Sequence, residues 1–231
     1  MAKTSSWKQF LFLVNALVAW AAVGVSFTLM WTGYYVNEHD LTKPTLLGNV
    51  IGGNDSVSER FFDWSSYFTI LSNIVVAIVM TAVVTNPGIF NRRGRTGNIW
   101  RTLRLDSLLM ITITGIVYNL LLATGPKTGW DNISNLLQHV INPIVTVIVF
   151  FLAGPRGLLK LKTIAQALIL PIIWAVYVLA RGTMINAYPY FFFDVATHGW
   201  AYVITFIAEI MAFAVVIGLL FVGYDKVASR K

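Results

Sequence analysis

The chain has 231 residues, of which 57% are hydrophobic and 12% are charged, and its formal net charge is +7. A soluble domain of this length needs more polar surface, so the composition excludes an ordinary soluble protein and indicates an integral membrane protein. Because the chain has no Cys, disulfides, thiolate nucleophiles and Cys-ligated metals are excluded. In a membrane protein the basic excess indicates orientation and not nucleic-acid binding.

Six segments are long and apolar enough to cross a hydrocarbon core of about 30 Å. The predicted helices cover about 10–34, 64–85, 103–124, 132–153, 163–181 and 199–223. The first follows Lys3 and Lys8, as a signal peptide would, but its apolar run continues past Met30, so we expect it to be retained. The sequence therefore predicts an all-α, polytopic membrane protein in which residues 1–231 form a single six-helix domain.

Basic residues are distributed unevenly between the connections. Thirteen of the 17 Lys and Arg residues flank one end of the predicted bundle, and the other end has Lys43, Arg60, Lys127 and Arg181. Cytoplasmic loops are enriched in Lys and Arg. We therefore predict that both termini are cytoplasmic and that the loop at 35–63 is external.

A polar stripe opens the second predicted helix, within the stretch Trp64–Asn73, WSSYFTILSN. Residues three and four apart share a helix face, so Ser65, Thr69, Ser72 and Asn73 lie along one side. Hydrocarbon offers them no hydrogen-bond partner. We expect the stripe to contact polar groups of neighbouring helices.

Other helices bring polar residues to about the depth of Thr69, given a rise of about 1.5 Å per residue. They are Asn119 in the third helix and His139 in the fourth, which also carries Asn142 on the same face, while Arg181 ends the fifth helix and His198 opens the sixth on the same outer side. Polar residues on unrelated helices would not be expected to lie at the same end of the bundle by chance. We interpret the shared layer as a candidate site near the external end.

Thr69 and His139 together have the elements of nucleophilic catalysis. A neutral imidazole within about 2.6–3.2 Å of a hydroxyl can remove its proton and later return it to a leaving alcohol. The amides of Asn73, Asn119 and Asn142 are candidates for stabilising an oxyanion. This combination predicts an ester hydrolase at lipid depth. The open alternatives are a Thr bonded to its own backbone, a structural His and interhelical Asn pairs.

One face of the fifth helix carries Trp174, Tyr177 and Arg181 at spacings of three and four. A guanidinium matches carboxylate geometry, so Arg181 is a candidate to hold a carboxylate of a lipid-like substrate. Trp174, Tyr177 and Phe68 are predicted to line a cavity open toward the outer leaflet, and His198 is a further candidate contact. Arg181 as an interfacial anchor remains an alternative.

Glu209 lies about ten residues into the sixth helix, near the bilayer centre, and shares a face with His198. We predict that it faces the bundle interior behind the site, because an unpaired carboxylate in hydrocarbon is costly. Glu209 and Asp106 support an alternative function, a small transporter or proton-coupled carrier. Asp106 also has a simpler interpretation as a local partner of Arg101 and Arg104.

Neither a metal nor a cofactor is predicted. The three His residues, His39, His139 and His198, are too few and too dispersed for a metal site. Haem ligation by two of them would need His139 and His198 at one depth, whereas His198 lies at the edge of its span.

Four stretches of the chain resemble the androgen-induced and androgen-dependent membrane-protein family, which includes the TFPI-regulating protein, and resemble its bacterial branch most. They are Trp64–Asn73, Gln138–Leu152 (QHVINPIVTVIVFFL), Tyr188–Tyr190 and His198–Trp200. The animal members are membrane threonine hydrolases of fatty acid esters of hydroxy fatty acids. The resemblance implies Thr69 as nucleophile, His139 as base, a fatty-acyl ester substrate drawn from membrane lipids, and a bacterial cytoplasmic membrane.

Overall fold

The computed structural model describes residues 5–35, 40–49, 56–123, 125–154 and 156–230. Within these ranges the chain is a bundle with six helices long and apolar enough to cross a membrane. The prediction of an all-α polytopic membrane protein is confirmed. His39, named above as a potential metal ligand, lies outside the described residues.

The spanning helices agree closely with the predicted spans. They are α1 (Ser6–Thr32), α3 (Phe68–Thr85), α4 (Gly94–Leu122), α5 (Gly129–Ala153), α6 (Leu161–Ile185) and α7 (Val195–Ala228). A short helix, α2 (Val57–Ser66), precedes α3. The largest difference is that α4 begins at Gly94, because its first turns contain basic residues that lie outside the apolar window.

The helix predicted over 64–85 is interrupted at Tyr67, whose backbone is extended with φ −76° and ψ 130°. Ser56 caps α2: its hydroxyl accepts a hydrogen bond from the Glu59 amide, and the Glu59 carboxylate accepts one from the Ser56 amide. Because the backbone is extended at Tyr67, α3 begins at Phe68 as a separate helix, and Thr69 lies in its first turn.

The spanning helices alternate in direction. The "loop end" of the bundle comprises the C-terminal ends of α1, α4 and α6 with the N-terminal ends of α3, α5 and α7. The opposite ends form the "basic end". At the basic end the Gln9 amide donates to the carbonyl of Val84 over 2.7 Å, and at the loop end Arg60 Nε donates to the carbonyl of Met30 over 3.0 Å.

Helix α3 lies at the centre of the bundle and α7 at its periphery. Over half of the most apolar window of α3 is buried (56%), compared with 22% for α7. Helices α4 and α5 approach closely at Gly115, where an added Cβ would lie 2.9 Å from the Cβ of Pro143. A glycine at 115 thus brings α4 against the turn of α5 that contains His139.

Backbone hydrogen bonds tie the segment at 40–49 to the connection between α6 and α7. The Leu47 amide donates to the Tyr188 carbonyl, and the Tyr188 amide donates to the Thr45 carbonyl, both over 2.8 Å. Asp194 caps α7 by accepting from the Thr197 amide and from the Thr45 hydroxyl. Burial alone would raise the pKa of the Asp194 carboxyl, but hydrogen bonds from Thr197 and Thr45 lower it below its usual value.

Candidate active site

The structure brings Thr69 and His139 into contact. The Thr69 Oγ1 lies 3.2 Å from His139 Nε2, and the other ring nitrogen, Nδ1, lies 3.2 Å from the backbone carbonyl of Asn135. A carbonyl can only accept, so the proton of a neutral imidazole lies on Nδ1. The lone pair of Nε2 then faces the Thr69 hydroxyl, which is the arrangement that a general base requires.

Tyr118 and His139 each lie in a π-helical turn. Tyr118–Leu122 is the π turn of α4, and Leu137–Ile141 is the π turn of α5. Such turns are rare and occur often at functional sites, because the wider turn changes which backbone groups pair along the helix. The Asn135 carbonyl, four residues before His139, accepts the hydrogen bond from the imidazole.

Tyr118 holds the imidazole in a fixed plane. Its ring stacks on that of His139 with a centroid separation of 3.5 Å and an interplanar angle of 16°. Stacking on one face and the hydrogen bond to Asn135 together restrict both torsions of the His139 side chain. The imidazole is therefore held in one orientation.

Tyr190 is the third group beside the Thr69 hydroxyl. Its phenolic oxygen lies 3.3 Å from the Thr69 amide nitrogen, from which it accepts, and 3.4 Å from Thr69 Oγ1. Burial raises the pKa of Tyr190, so the phenol keeps its proton and can donate it to an acceptor. Sequence reasoning included Tyr190 only within a resembling stretch, because helix spacing cannot position a residue in a connection.

Three members of the predicted polar stripe, Thr69, Ser72 and Asn73, have partners on other elements, whereas Ser65 lies in α2 and donates to the Phe62 carbonyl of its own helix over 3.0 Å. Ser72 Oγ lies 2.8 Å from Thr114 Oγ1 of α4. The Asn142 amide of α5 donates to Asn73 Oδ1 over 2.7 Å. Thr146, one turn further along α5, donates to Asn15 of α1 over 3.0 Å.

The predicted oxyanion role of the asparagines is contradicted by their hydrogen bonds. The Asn73 amide donates to the carbonyls of Thr69 and Gln138, and the Asn142 amide donates to Asn73. The exposed Asn119 donates to the carbonyls of Gly115 (2.7 Å) and His139 (3.0 Å). The side-chain N–H groups of these asparagines connect neighbouring helix turns and helices, and they are not directed at the Thr69 hydroxyl.

Two cavities meet at Thr69. An apolar cleft between α4, α6 and α7 is lined by side chains such as Ile113, Val117, Pro171, Trp174, Ile210 and Met211. A wider polar vestibule at the loop end is lined by residues that include Asp63, Lys127, Asp131, Gln138 and His139. Thr69, Tyr118, Leu122 and Tyr190 line both. The Thr69 hydroxyl therefore lies at the junction of an apolar and a polar space.

The predicted cavity wall is present in part. Phe68 and Trp174 line the apolar cleft, with ring centroids 4.8 Å apart. Arg181 contacts Asp63 in an ion pair and also donates to Ser66 Oγ over 3.2 Å, while the Tyr177 hydroxyl lies 3.4 Å from the same Ser66 atom. Neither Arg181 nor Tyr177 lines either cavity, so the predicted carboxylate clamp already has a carboxylate partner within the protein.

The remaining candidates on α7 lie away from the site. His198 is exposed and its ring lies 4.6 Å from that of Tyr202. Glu209 is exposed, so its predicted placement in the bundle interior is wrong. Helix α7 is peripheral and apolar on most sides, and periodicity therefore could not indicate which face it turns toward the bundle.

Comparisons of the chain with protein-family models, with curated proteins and with solved structures find no match. The chemistry of the site therefore rests on its own geometry. That geometry combines a hydroxyl, a base in the required tautomer and a buried phenol at the meeting point of two cavities.

Proposed function

We propose that the chain is a membrane-embedded hydrolase of lipid esters in which Thr69 is the nucleophile and His139 the general base. The observation that carries the proposal is the 3.2 Å separation of Thr69 Oγ1 and His139 Nε2, with Nδ1 directed at the Asn135 carbonyl. A Thr bonded only to its own helix would not need an oriented, half-enclosed imidazole beside it.

In the proposed reaction Thr69 Oγ1 attacks the ester carbonyl carbon while His139 Nε2 takes the hydroxyl proton. The new C–O bond forms as the carbonyl oxygen becomes an oxyanion. When the intermediate collapses, the ester C–O bond breaks and the leaving alcohol takes the proton from His139. A water deprotonated by His139 then cleaves the acyl-Thr69 ester, releasing the carboxylic acid and restoring the hydroxyl.

The oxyanion needs donors where its charge develops. The Tyr190 O–H is the side-chain candidate, since its oxygen is 3.4 Å from Thr69 Oγ1. Thr69 also lies in the first turn of α3, where the helix dipole favours negative charge. The amides of this turn already have partners, since Thr69 donates to the Tyr190 oxygen and Ile70 and Leu71 donate to the Tyr67 carbonyl. In this proposal the Tyr190 hydroxyl and the dipole of α3 replace the asparagines in stabilising the oxyanion.

The two cavities indicate the class of substrate. The apolar cleft suits an acyl chain, and the polar vestibule suits the more polar part of an ester. An ester with one long apolar chain and one polar or carboxylate-bearing part matches both. Fatty acid esters of hydroxy fatty acids, which the family resemblance implies, belong to this class. With the loop end external, the site would serve the outer leaflet of a bacterial cytoplasmic membrane.

The test is turnover of a fatty-acyl ester by purified protein in nanodiscs. Thr69→Ala and His139→Ala should each lower kcat by about 10²–10⁴-fold, and the double variant should be no worse, since the two residues act as one unit. Thr69→Ser should keep partial activity. Thr205→Ala is the matched control, because Thr205 is exposed on α7 and donates only to the Ala201 carbonyl.

A fluorophosphonate probe gives a second, independent measurement. It should label the wild type and Thr205→Ala but not Thr69→Ala. If folded wild-type protein neither hydrolyses fatty-acyl esters nor takes the probe, the hydrolase proposal is wrong and the carrier alternative becomes the better one.

A further inference from the structure

A buried guanidinium lies at the basic end, well away from the candidate active site. Arg104 of α4 is 3% exposed, and it lies about 15 Å along the helix from Thr114, the residue that contacts Ser72. Its Nε and one terminal nitrogen have no hydrogen-bond partner among the described residues. The other terminal nitrogen contacts only the Met80 sulfur, at 3.7 Å, and thioether sulfur is a weak acceptor.

Nearby carboxylates do not compensate this charge. Asp106 is 2% exposed and its Oδ1 has no partner among the described residues, but residues two apart on a helix do not face each other. Asp225 accepts from the Leu159 amide over 2.9 Å through Oδ2, and its Oδ1 has no partner among the described residues. The ion pairs of the described residues all lie at the loop end. The predicted local pairing of Asp106 with Arg101 or Arg104 is therefore wrong.

A second guanidinium shares the surroundings of Arg104. The guanidinium carbons of Arg104 and Arg156 lie 5.6 Å and 5.2 Å from the centroid of the same Phe150 ring. One Arg156 terminal nitrogen donates to the Phe151 carbonyl over 2.6 Å, while the other is buried without a partner in the described part of the chain. Arg156 is only half-buried, so the pair extends from the interior toward the surface.

Two positive charges on one aromatic ring repel each other, and a buried uncompensated guanidinium is strongly unfavourable. Arg stays protonated in proteins, so deprotonation cannot relieve the cost. A shared anion can relieve it. The three unpartnered nitrogens of Arg104 and Arg156 are donors of the kind that bind phosphate oxygens in pairs.

We propose that Arg104 and Arg156 form a binding site for a phosphate group at the basic end of the bundle. The group is supplied either by the headgroup of an anionic phospholipid or by free phosphate. Exposed Lys160, Lys162 and Lys226 lie at the same end and would attract anionic headgroups. Tyr224, whose ring lies 5.0 Å from the Arg156 guanidinium carbon, is amphipathic and suits the interfacial level. The proposal does not depend on the hydrolase function.

The test uses detergent-purified full-length protein titrated with phosphatidylglycerol and observed by native mass spectrometry, with phosphatidylcholine as the uncharged comparison. Arg156→Gln and Arg104→Gln should each weaken phosphatidylglycerol binding about tenfold or more, as expected for lost hydrogen bonds between charged groups. Arg95→Gln is the matched control: it removes one exposed guanidinium at the same end and should change binding less than about twofold.

Two further arms separate the outcomes. If Arg104→Gln fails to fold, Arg104→Lys keeps the charge but loses the guanidinium fork, and it should still bind phosphatidylglycerol more weakly than the wild type. Inorganic phosphate, compared with chloride at equal ionic strength, should raise the Tm of the wild type but not of Arg156→Gln if free phosphate is the ligand. Binding of lipid alone assigns the headgroup. Equal losses in Arg95→Gln, or binding of neither ligand, would overturn the proposal.

Discussion

Tyr190→Phe is the most informative single change at the candidate active site. It removes one hydroxyl and leaves the ring, which stacks on Phe192 with centroids 5.2 Å apart and packs against Trp174. The removed oxygen lies 3.3 Å from the Thr69 amide nitrogen and 3.4 Å from Thr69 Oγ1. Any effect on turnover therefore reports on the phenol and not on a collapsed pocket.

The size of the effect distinguishes two roles of this hydroxyl. If the phenol donates to the oxyanion, its loss should lower kcat by about 10²–10³-fold, which is about 2.7–4 kcal/mol of transition-state stabilisation. If it only accepts from the Thr69 amide, the variant should lose about 0.5–1.5 kcal/mol of folding stability and keep its kcat. The two outcomes differ by far more than the error of a rate measurement.

The assay is kcat on a fatty-acyl ester together with the Tm of each variant. Tyr67→Phe is the control, since the Tyr67 hydroxyl donates to the Leu47 carbonyl over 3.2 Å and its ring lies 5.8 Å from that of Tyr190. It should keep near-normal kcat. If Tyr190→Phe retains more than about a third of kcat, or if Tyr67→Phe loses as much, the oxyanion role of Tyr190 is refuted.

Two other predictions concern the loop end and the orientation. Because hydrogen bonds lower the pKa of Asp194 in the folded state, its carboxylate stabilises the fold above about pH 4, and this stabilisation is lost as the pH falls through the folded pKa. Asp194→Asn should therefore flatten the fall of Tm between about pH 5 and pH 2, and an unchanged slope would contradict this. In the Cys-free chain, an impermeant maleimide should label Lys43→Cys in intact cells but Arg93→Cys only after lysis, and the reverse pattern would invert the orientation.

The sequence predicted the spans and the central pair for simple physical reasons. Long apolar segments have few alternatives in a membrane protein, so the hydropathy pattern was sufficient for α1 and α3–α7. Residue rise along a helix gives depth directly, and depth was enough to associate Thr69 with His139. The contact of 3.2 Å between them follows that expectation.

Depth does not identify partners, and the predictions that needed partners were the ones that changed. Arg181 ends its helix on the predicted side of the bundle, but it lines neither cavity. Its ion pair with Asp63 depends on α2, a helix that the hydropathy pattern merged with α3. The break at Tyr67 has neither Gly nor Pro to mark it. Asn119 and Glu209 share the same limitation, since a largely apolar helix gives no periodic signal for the direction of a single polar side chain.

The wide turn of α5 has a genetic consequence. In many hydrolases the group that orients the catalytic imidazole is a carboxylate side chain, which a point mutation can remove. Here the partner of the His139 ring is the main-chain carbonyl of Asn135. A side-chain substitution leaves this carbonyl in place unless it also changes the backbone geometry. An alanine scan would therefore miss the orienting group. Deleting one residue within Leu137–Ile141 would restore an ordinary helical repeat and remove it. In the stretch from Asn135 to Ile141 we therefore expect the protein to tolerate substitution of Asn135 but not the insertion or deletion of a residue.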